Sequence, residues 1–287
     1  MIKKPTIALI YDFDKTLCTK DMQEYSFIPD LGITSKEFWA KSNQFAKDKK
    51  MDKILSCMYH MIKESKKKDR PIKYENFKLM GKNIEFFPGV EDWFKRTTEY
   101  GKQKGVTIEH YIISSGLKEI IEGSKIYKTA KFKEIYACEF HYDENGTADW
   151  PLSVVNYTTK TQFLFRINKG ALDVSDDETV NKFTPEDERR IPFRNMIYIG
   201  DGMTDVPCMK LVKSHGGNSI AVYNSRKKNV ETLLLDDRVN YITKADYSDQ
   251  KELDIIVKQI IDKISVEDKL VKKQIKMLTD AKKNNNK

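Results

Sequence analysis

Two carboxylates follow directly on a short apolar segment near the start of the chain. The segment spans residues 7–11, the carboxylates are Asp12 and Asp14, and Thr16 follows two positions later. Carboxylates two residues apart on one loop can approach a single point from different directions. Such a pair could bind a hard cation, supply a nucleophile, or do both. Acidic turn residues also follow ordinary strands, so this pair does not establish a catalytic site by itself.

A second acidic pair lies far along the chain and has the same setting. Asp201 and Asp205 follow the apolar residues 197–200, with Gly202 between them. Two apolar segments that each end at a carboxylate pair are hard to reach by chance. The repetition therefore favours a catalytic or metal-binding interpretation of both pairs.

The elements that must position these carboxylates are strands. The apolar segments have the length and β-branched content of buried parallel strands. In open α/β sheets, functional residues lie just outside the carboxyl ends of such strands. The sequence therefore predicts an α/β fold with a doubly wound, mostly parallel sheet. Its predicted strands cover residues 5–12, 108–116, 132–142, 195–200, 219–223 and 239–243.

Two further polar sites lie between the acidic pairs. Ser114, Ser115 and Gly116 end a predicted strand and precede a helix, an arrangement in which backbone N–H groups and a hydroxyl can bind an anion. Lys160 lies at the predicted entrance of another helix. Taken one at a time, a helix-capping serine and a surface lysine explain these residues equally well.

Residues 20–87 differ from the rest of the chain because they contain no convincing strand. Ser35 with Glu37, and Asp52, are typical of helix starts. Their apolar residues recur at helical spacing, which indicates packed helix faces rather than a ligand site. These residues are Phe38, Trp39, Phe45, Ile54, Leu55, Met58, Met61 and Ile62.

The composition indicates a globular protein, with 39% hydrophobic residues and a net charge of +8. The apolar runs are shorter than the roughly 20 residues of a membrane span, and the amino terminus lacks signal-peptide features. The four cysteines stand singly, as expected for reduced thiols in the cytoplasm. Lys residues are scattered rather than striped, which does not favour nucleic-acid binding.

The order of these motifs resembles the haloacid dehalogenase-like (HAD) superfamily of phosphohydrolases. Asp12-Phe-Asp14-Lys-Thr16 comes first, Ser114 and Lys160 follow, and Gly200-Asp-Gly-Met-Thr-Asp205 comes last. The resemblance covers about three quarters of the chain and is greatest for enzymes similar to phosphoserine phosphatase. This chain differs from the pattern of those enzymes in two places. Ser114-Ser-Gly116 stands where they have Ser-Gly-Gly, and Asp21 stands where they have a glutamate.

The resemblance implies a reaction through an aspartyl-phosphate. Asp12 would be the nucleophile, and Asp14 would protonate the leaving oxygen and later activate water. Lys160 would offset the phosphate charge. Mg²⁺ would be the cofactor, held by Asp12, by Asp14 through its main-chain carbonyl, and by Asp201, with Asp205 supporting Lys160 and the metal site. Substrate and phosphate contacts would come from Thr16, Asp21, Ser114, Ser115, Gly116 and Lys160.

The same resemblance implies the domain organisation. Residues 1–19 and 88–265 would form the catalytic core, residues 20–87 a helical cap, and residues 266–287 a basic tail that frays. The expected substrate is a small phosphorylated metabolite; phosphoserine, phosphocholine and phosphoethanolamine all remain open. A phosphotransferase or a non-catalytic binding module on the same fold are the alternatives. The sequence does not indicate an oligomeric state.

Overall fold

The computed structural model describes residues 4–285, apart from the side chains at 187, 275, 279, 280 and 282–285. Its strands form one seven-stranded sheet in the order β4-β3-β2-β1-β5-β6-β7. The strands are β1 (Thr6–Tyr11), β2 (Thr107–Leu117), β3 (Glu134–Tyr142), β4 (Ala148–Ser153), β5 (Met196–Gly200), β6 (Asn218–Tyr223) and β7 (Tyr241–Lys244).

The pairing of the strands confirms the predicted α/β fold. Five neighbouring pairs are parallel, and only β3 and β4, which a turn at residues 143–146 joins, are antiparallel. The chain passes from β4 at one edge back to β5 beside β1. The order of the strands therefore reverses at β1, and in a doubly wound sheet ligands bind at this point.

β1 is the centre of the sheet because its side chains suit burial on both faces. Residues 7–11 are fully buried. Ala8 pairs with Glu109 of β2 on one side and with Met196 of β5 on the other. Beyond the strand, the Asp12 N–H donates to the Ile199 carbonyl at 2.9 Å. This register brings the loops after β1 and β5 together, and with them the two acidic pairs.

Helices connect and flank the strands. They are α1 (Phe27–Asp30), α2 (Ser35–Lys49), α3 (Lys53–Lys67), α4 (Tyr74–Met80), α5 (Val90–Gln103), α6 (Lys118–Gly123), α7 (Lys125–Ala130), α8 (Thr159–Lys169), α9 (Asp177–Asn181), α10 (Val206–Ser214), α11 (Lys228–Leu235) and α12 (Glu252–Asn285). Single 3₁₀ turns lie at Met22–Glu24, Gly81–Asn83, Glu186–Glu188 and Phe193–Asn195.

The segment between β1 and α5 is helical, as its apolar spacing predicts. Thr34 and Glu37 form a capping box at the start of α2, and Asp52 accepts two backbone N–H groups at the start of α3. Each cap satisfies backbone donors that the first helical turn leaves unpaired. The packed-core interpretation holds for Phe38, which is buried and contacts the core. Four other members of the apolar stripe also line a cavity, as described below.

α12 extends into the predicted basic tail. Residues 266–285 continue the helix that starts at Glu252. No Gly or Pro interrupts the chain between 252 and 285, and these two residues are the ones that end helices most strongly. The first half of α12 is anchored by buried residues such as Val257 and Ile261, whereas Val266 and Leu270 are exposed. Residues 286–287 of the predicted tail lie outside the described residues.

None of the helices within residues 4–285 combines the length and the apolar character that crossing a bilayer requires. All four cysteines are buried and free.

Candidate active site

Three carboxylates from the two acidic pairs meet at the carboxyl ends of β1 and β5. One oxygen each of Asp12, Asp201 and Asp205 lies within 4.8 Å of the others. Asp12 is 5% exposed and Asp205 is fully buried. Gly200 makes this approach possible, because a Cβ atom there would lie 2.6 Å from Asp205 Oδ2. The predicted convergence of distant loops is therefore present in the fold.

Lys160 lies among these carboxylates. Its Nζ is 2.9 Å from Asp12 Oδ1 and 2.8 Å from Asp205 Oδ1, and the whole side chain is buried. The Tyr198 hydroxyl also donates to Asp205 Oδ1 at 2.7 Å. Burial lowers the pKa of Lys160, but the carboxylates of Asp12 and Asp205 raise it by more, so the amine is an ammonium ion. α8 begins at Thr159, which confirms that Lys160 lies at a helix entrance.

Burial and mutual repulsion raise the pKa values of Asp12 and Asp201. Burial raises the pKa of Asp12 from 3.8 to about 7, with a further contribution from Asp205 and an opposing one from Lys160. Burial and the charges of Asp205 and Asp12 raise the pKa of Asp201 to about 8. Asp205 Oδ2 has no hydrogen-bond partner among the described residues. Three carboxylates with a free buried oxygen form a donor set that suits a hard divalent cation such as Mg²⁺.

The carboxylate of Asp14 stands apart from this group of three. Its Oδ1 accepts the Met22 N–H at 2.9 Å. Gly116 leaves room for it, because a Cβ atom there would lie 3.1 Å from Asp14 Oδ2 and 2.1 Å from Met22 Cε. Burial, followed by the charges of Asp21 and Asp12, raises the pKa of Asp14 well above its usual value. A buried carboxyl with a raised pKa can hold a proton near neutral pH.

A cavity of about 350 Å³ opens over these residues. Asp12, Asp14, Asp201 and Lys160 form one end of it. The helical segment 20–87 supplies the other wall, through Asp21, Gln23, Trp39, Ile54, Cys57, Met58 and Met61. A pocket of this size matches a small organic ligand.

The predicted phosphate contacts are distributed unevenly around this cavity. Ser115 lines it, and the Ser115 hydroxyl has no partner among the described residues. Ser114 is fully buried beside it and accepts the Gly116 N–H at 3.0 Å, and neither residue is part of the cavity wall. Thr16 is also fully buried and away from the wall, and its carbonyl accepts a hydrogen bond from the Tyr247 hydroxyl.

Asp21 lines the cavity as predicted, but it is not a free carboxylate. Lys15 Nζ lies 2.5 Å from Asp21 Oδ2. Lys15, which the sequence reasoning overlooked, adopts a left-handed backbone conformation with φ of 56° and also lines the cavity. Its position directly after Asp14 is a signal that was available in the sequence.

Two other residues of the site had no such signal. Tyr198 is an inward-facing residue of β5 whose hydroxyl reaches Asp205, and in the sequence it is one more apolar strand position. Gln23 belongs to a single 3₁₀ turn and reaches the cavity through the packing of the helical segment against the core.

Comparisons with known proteins show which family this chain belongs to. Residues 7–220 match the family described as Putative Phosphatase. A protein of Borreliella burgdorferi described as uncharacterized is 29% identical, and the match covers 84% of this chain and 92% of that protein.

Two solved structures show the same fold at low sequence identity. A HAD family hydrolase from Salmonella enterica serovar Typhi is similar with a TM-score of 0.57 and 17% identity, over 87% of this chain and 73% of that one. A phosphoserine phosphatase solved as a phospho-aspartyl intermediate analogue has a TM-score of 0.53 and 16% identity, over 89% and 99% of the two chains. The family match spans well over half of the chain. This chain therefore belongs to the Putative Phosphatase family and is a phosphatase with a HAD-like fold.

Proposed function

We propose that the protein is a magnesium-dependent phosphatase that hydrolyses a small phosphomonoester through an aspartyl-phosphate. The observation that carries the proposal is the buried ammonium group of Lys160, which lies between Asp12 and Asp205 and beside Asp201 at the end of the cavity. A buried positive charge beside a buried carboxylate provides both a nucleophile and a means of offsetting phosphate charge.

In the first step, a carboxylate oxygen of Asp12 forms a bond to phosphorus while the bond from phosphorus to the ester oxygen breaks. Asp14 gives its proton to the leaving oxygen, which departs as an alcohol. The raised pKa of Asp14 supports this role, because an acid must be protonated before it can act. Lys160 reduces the repulsion between the Asp12 carboxylate and the phosphate.

In the second step, water attacks the phosphorus atom of the aspartyl-phosphate. Asp14, now ionised, takes a proton from that water, and the bond between phosphorus and Asp12 breaks to release inorganic phosphate. Ser115, with its unpartnered hydroxyl on the cavity wall, is positioned to donate to a phosphate oxygen. Asp205 holds Lys160 in place, and Tyr198 in turn orients Asp205 by donating to it.

The carboxylates of Asp12 and Asp201, with the main-chain carbonyl of Asp14 and the nearby Asp205, would hold Mg²⁺. When bound, the ion supplies positive charge that offsets the carboxylates and the phosphate. The structure of a phosphoserine phosphatase with a phospho-aspartyl intermediate analogue supports the covalent route by analogy of fold.

The domain organisation is part of the same proposal. Residues 1–19 and 88–265 would be the catalytic core, residues 20–87 a cap that closes over the cavity, and residues 266–287 a basic extension. A cap that excludes water protects the first step from side reactions. The four free thiols fit a reducing compartment, which supports a cytoplasmic location.

Phosphate release from p-nitrophenyl phosphate, with Mg²⁺ and with EDTA, tests the proposal. We expect turnover with Mg²⁺ and a loss of at least a hundredfold with EDTA. Asp12→Asn should reduce turnover by roughly 10⁴-fold or more, as removal of a nucleophile does. Trapping of radiolabelled phosphate on the wild-type chain, and not on Asp12→Asn, would report the intermediate. A chain that releases no phosphate with Mg²⁺ present would instead be a binding module.

A further inference from the structure

The cavity has two chemically different ends. The end formed by the helical segment 20–87 indicates what kind of substrate fits. The phosphate end contains the carboxylates and Lys160. The opposite wall, from the helical segment, is mainly apolar: Trp39, Ile54, Cys57, Met58 and Met61 all face the same space. If the proposed function holds, this wall surrounds the leaving alcohol of the phosphomonoester. It therefore selects which alcohol the enzyme accepts.

Two polar side chains, Asp21 and Gln23, interrupt this apolar wall, and Gln23 is the one with an unpaired buried atom. Gln23 is only 5% exposed and lines the cavity, yet its Oε1 has no hydrogen-bond partner among the described residues. Leaving a buried acceptor unpaired is unfavourable, so such groups are rare in folded proteins. A ligand that donates a hydrogen bond to Gln23 would remove this cost.

The neighbours of Gln23 hold it in position. The Met22 N–H donates to Asp14, which ties one side of the turn to the phosphate end of the cavity. Glu24 accepts the indole N–H of Trp39 at 2.9 Å, which ties the other side to α2. Gln23 is thus a free amide between two anchored residues, as expected of a group that orients a ligand.

The charges on this wall do not favour an ammonium group. Asp21 is paired with Lys15, and Glu24 is engaged by Trp39. Trp39 is the single aromatic side chain among the described residues that line the cavity, whereas quaternary ammonium ligands are bound in cages of several aromatic rings.

We infer that the substrates are phosphomonoesters of small, uncharged alcohols that have an apolar body and a second hydroxyl group. That hydroxyl donates to Gln23 Oε1, while the apolar body packs against Met58 and Met61. The inference rests on the proposed function for the identity of the phosphate end. It predicts discrimination against phosphate esters of amino alcohols.

Three phosphate esters of equal length isolate the group that reaches Gln23: n-butyl, 3-hydroxypropyl and 3-aminopropyl phosphate. Calorimetry with the Asp12→Asn protein and Mg²⁺ measures their binding without turnover. We expect the hydroxyl ester to bind about tenfold more tightly than the butyl ester, the value of one neutral hydrogen bond, and the ammonium ester to bind most weakly. Gln23→Leu in the same background should reduce the hydroxyl advantage to about twofold or less. Gln44→Leu, on the exposed face of α2, is the matched control and should leave the order unchanged.

The inference is overturned if the ammonium ester binds most tightly, if none of the three esters binds at millimolar concentration, or if Gln23→Leu keeps the hydroxyl advantage. If Gln23→Leu does not fold, Gln23→Glu replaces it, and there we expect the ratio of ammonium to hydroxyl affinity to rise at least tenfold. Phosphate release by the wild-type protein tests the proposed function separately. If the protein releases phosphate but the three esters bind in a different order, only the inference about the substrate is wrong. If the esters bind in the expected order but no phosphate is released, only the proposed function is wrong.

Discussion

The ammonium group of Lys160 lies 2.9 Å from the carboxylate of Asp12, inside the protein and away from water. The same group lies 2.8 Å from Asp205. One side chain thus links the acidic loop after β1 with the acidic loop after β5. The stability of this part of the core and the reactivity of Asp12 therefore depend on the same contact.

Lys160→Met should damage both properties. Removing one partner of a buried ion pair leaves uncompensated charge, at a cost of about 3–5 kcal/mol. Turnover should fall at least about a hundredfold, because the charge that offsets the phosphate is lost. Urea unfolding at pH 8 and phosphate release measure the two effects. Lys102→Met, on the surface of α5, is the control and should change neither by a measurable amount.

The metal-free protein should lose stability as the pH rises. The folded-state pKa values of Asp12 and Asp201 are raised to about 7 and about 8. Between pH 4 and 8 the folded chain therefore retains protons that the unfolded chain has already released. Stability is then present at low pH and is lost as the pH increases through 7 and 8, by a few kcal/mol.

Urea midpoints at pH 5.5 and 8 in EDTA measure this loss. Asp201→Asn should flatten the dependence, and Mg²⁺ should restore stability at pH 8 more than at pH 5.5. A midpoint that rises with pH in EDTA, and does not respond to Asp201→Asn, would show that repulsion among these carboxylates is unimportant.

His110 should make the protein less stable as the pH falls, which is opposite to the effect of Asp12 and Asp201. Burial lowers the pKa of His110 from 6.5 to about 4. Its ring lies 3.1 Å from the Tyr11 hydroxyl and 2.9 Å from that of Thr98. Below pH 6.5 the unfolded chain gains a proton that the folded chain does not, so the contribution of His110 to stability falls by about 3 kcal/mol as the pH drops towards 4. His110→Gln should reduce the difference in unfolding free energy between pH 7 and pH 4.5. An unchanged difference would mean that another group titrates.

Gly116→Ala should impair turnover through crowding. The new methyl group would lie 2.1 Å from Met22 Cε and 3.1 Å from Asp14 Oδ2. Overpacking of this kind costs about 1–3 kcal/mol, and displacement of Asp14 should lower kcat by roughly tenfold or more. Met22→Ala removes the atoms that collide. In the double variant the loss of stability should therefore be smaller than the sum of the two single losses. Additive losses would mean that the two positions do not interact.

The sequence predicted most of the fold because its strands are short, apolar and separated by clear turns. It also predicted that Asp12, Asp201 and Lys160 belong together, although the lysine was singled out only by family resemblance. It did not predict the role of Gln23, because that residue reaches the cavity through tertiary packing of the helical segment rather than through a local pattern. It did not predict that α12 continues beyond residue 265, where the chain contains many Lys and Asn residues but no Gly or Pro.

The central place of β1 also affects how the protein is made. β1 is translated before either of its neighbours, and its partners lie about a hundred and almost two hundred residues later, at Thr107 and Met196. One edge of this apolar strand thus stays unpaired until β2 has been synthesised, and the other until β5 has been synthesised. The core cannot form completely until β5 has been synthesised. Chaperones that bind exposed apolar strands should therefore matter most between the synthesis of β1 and that of β5.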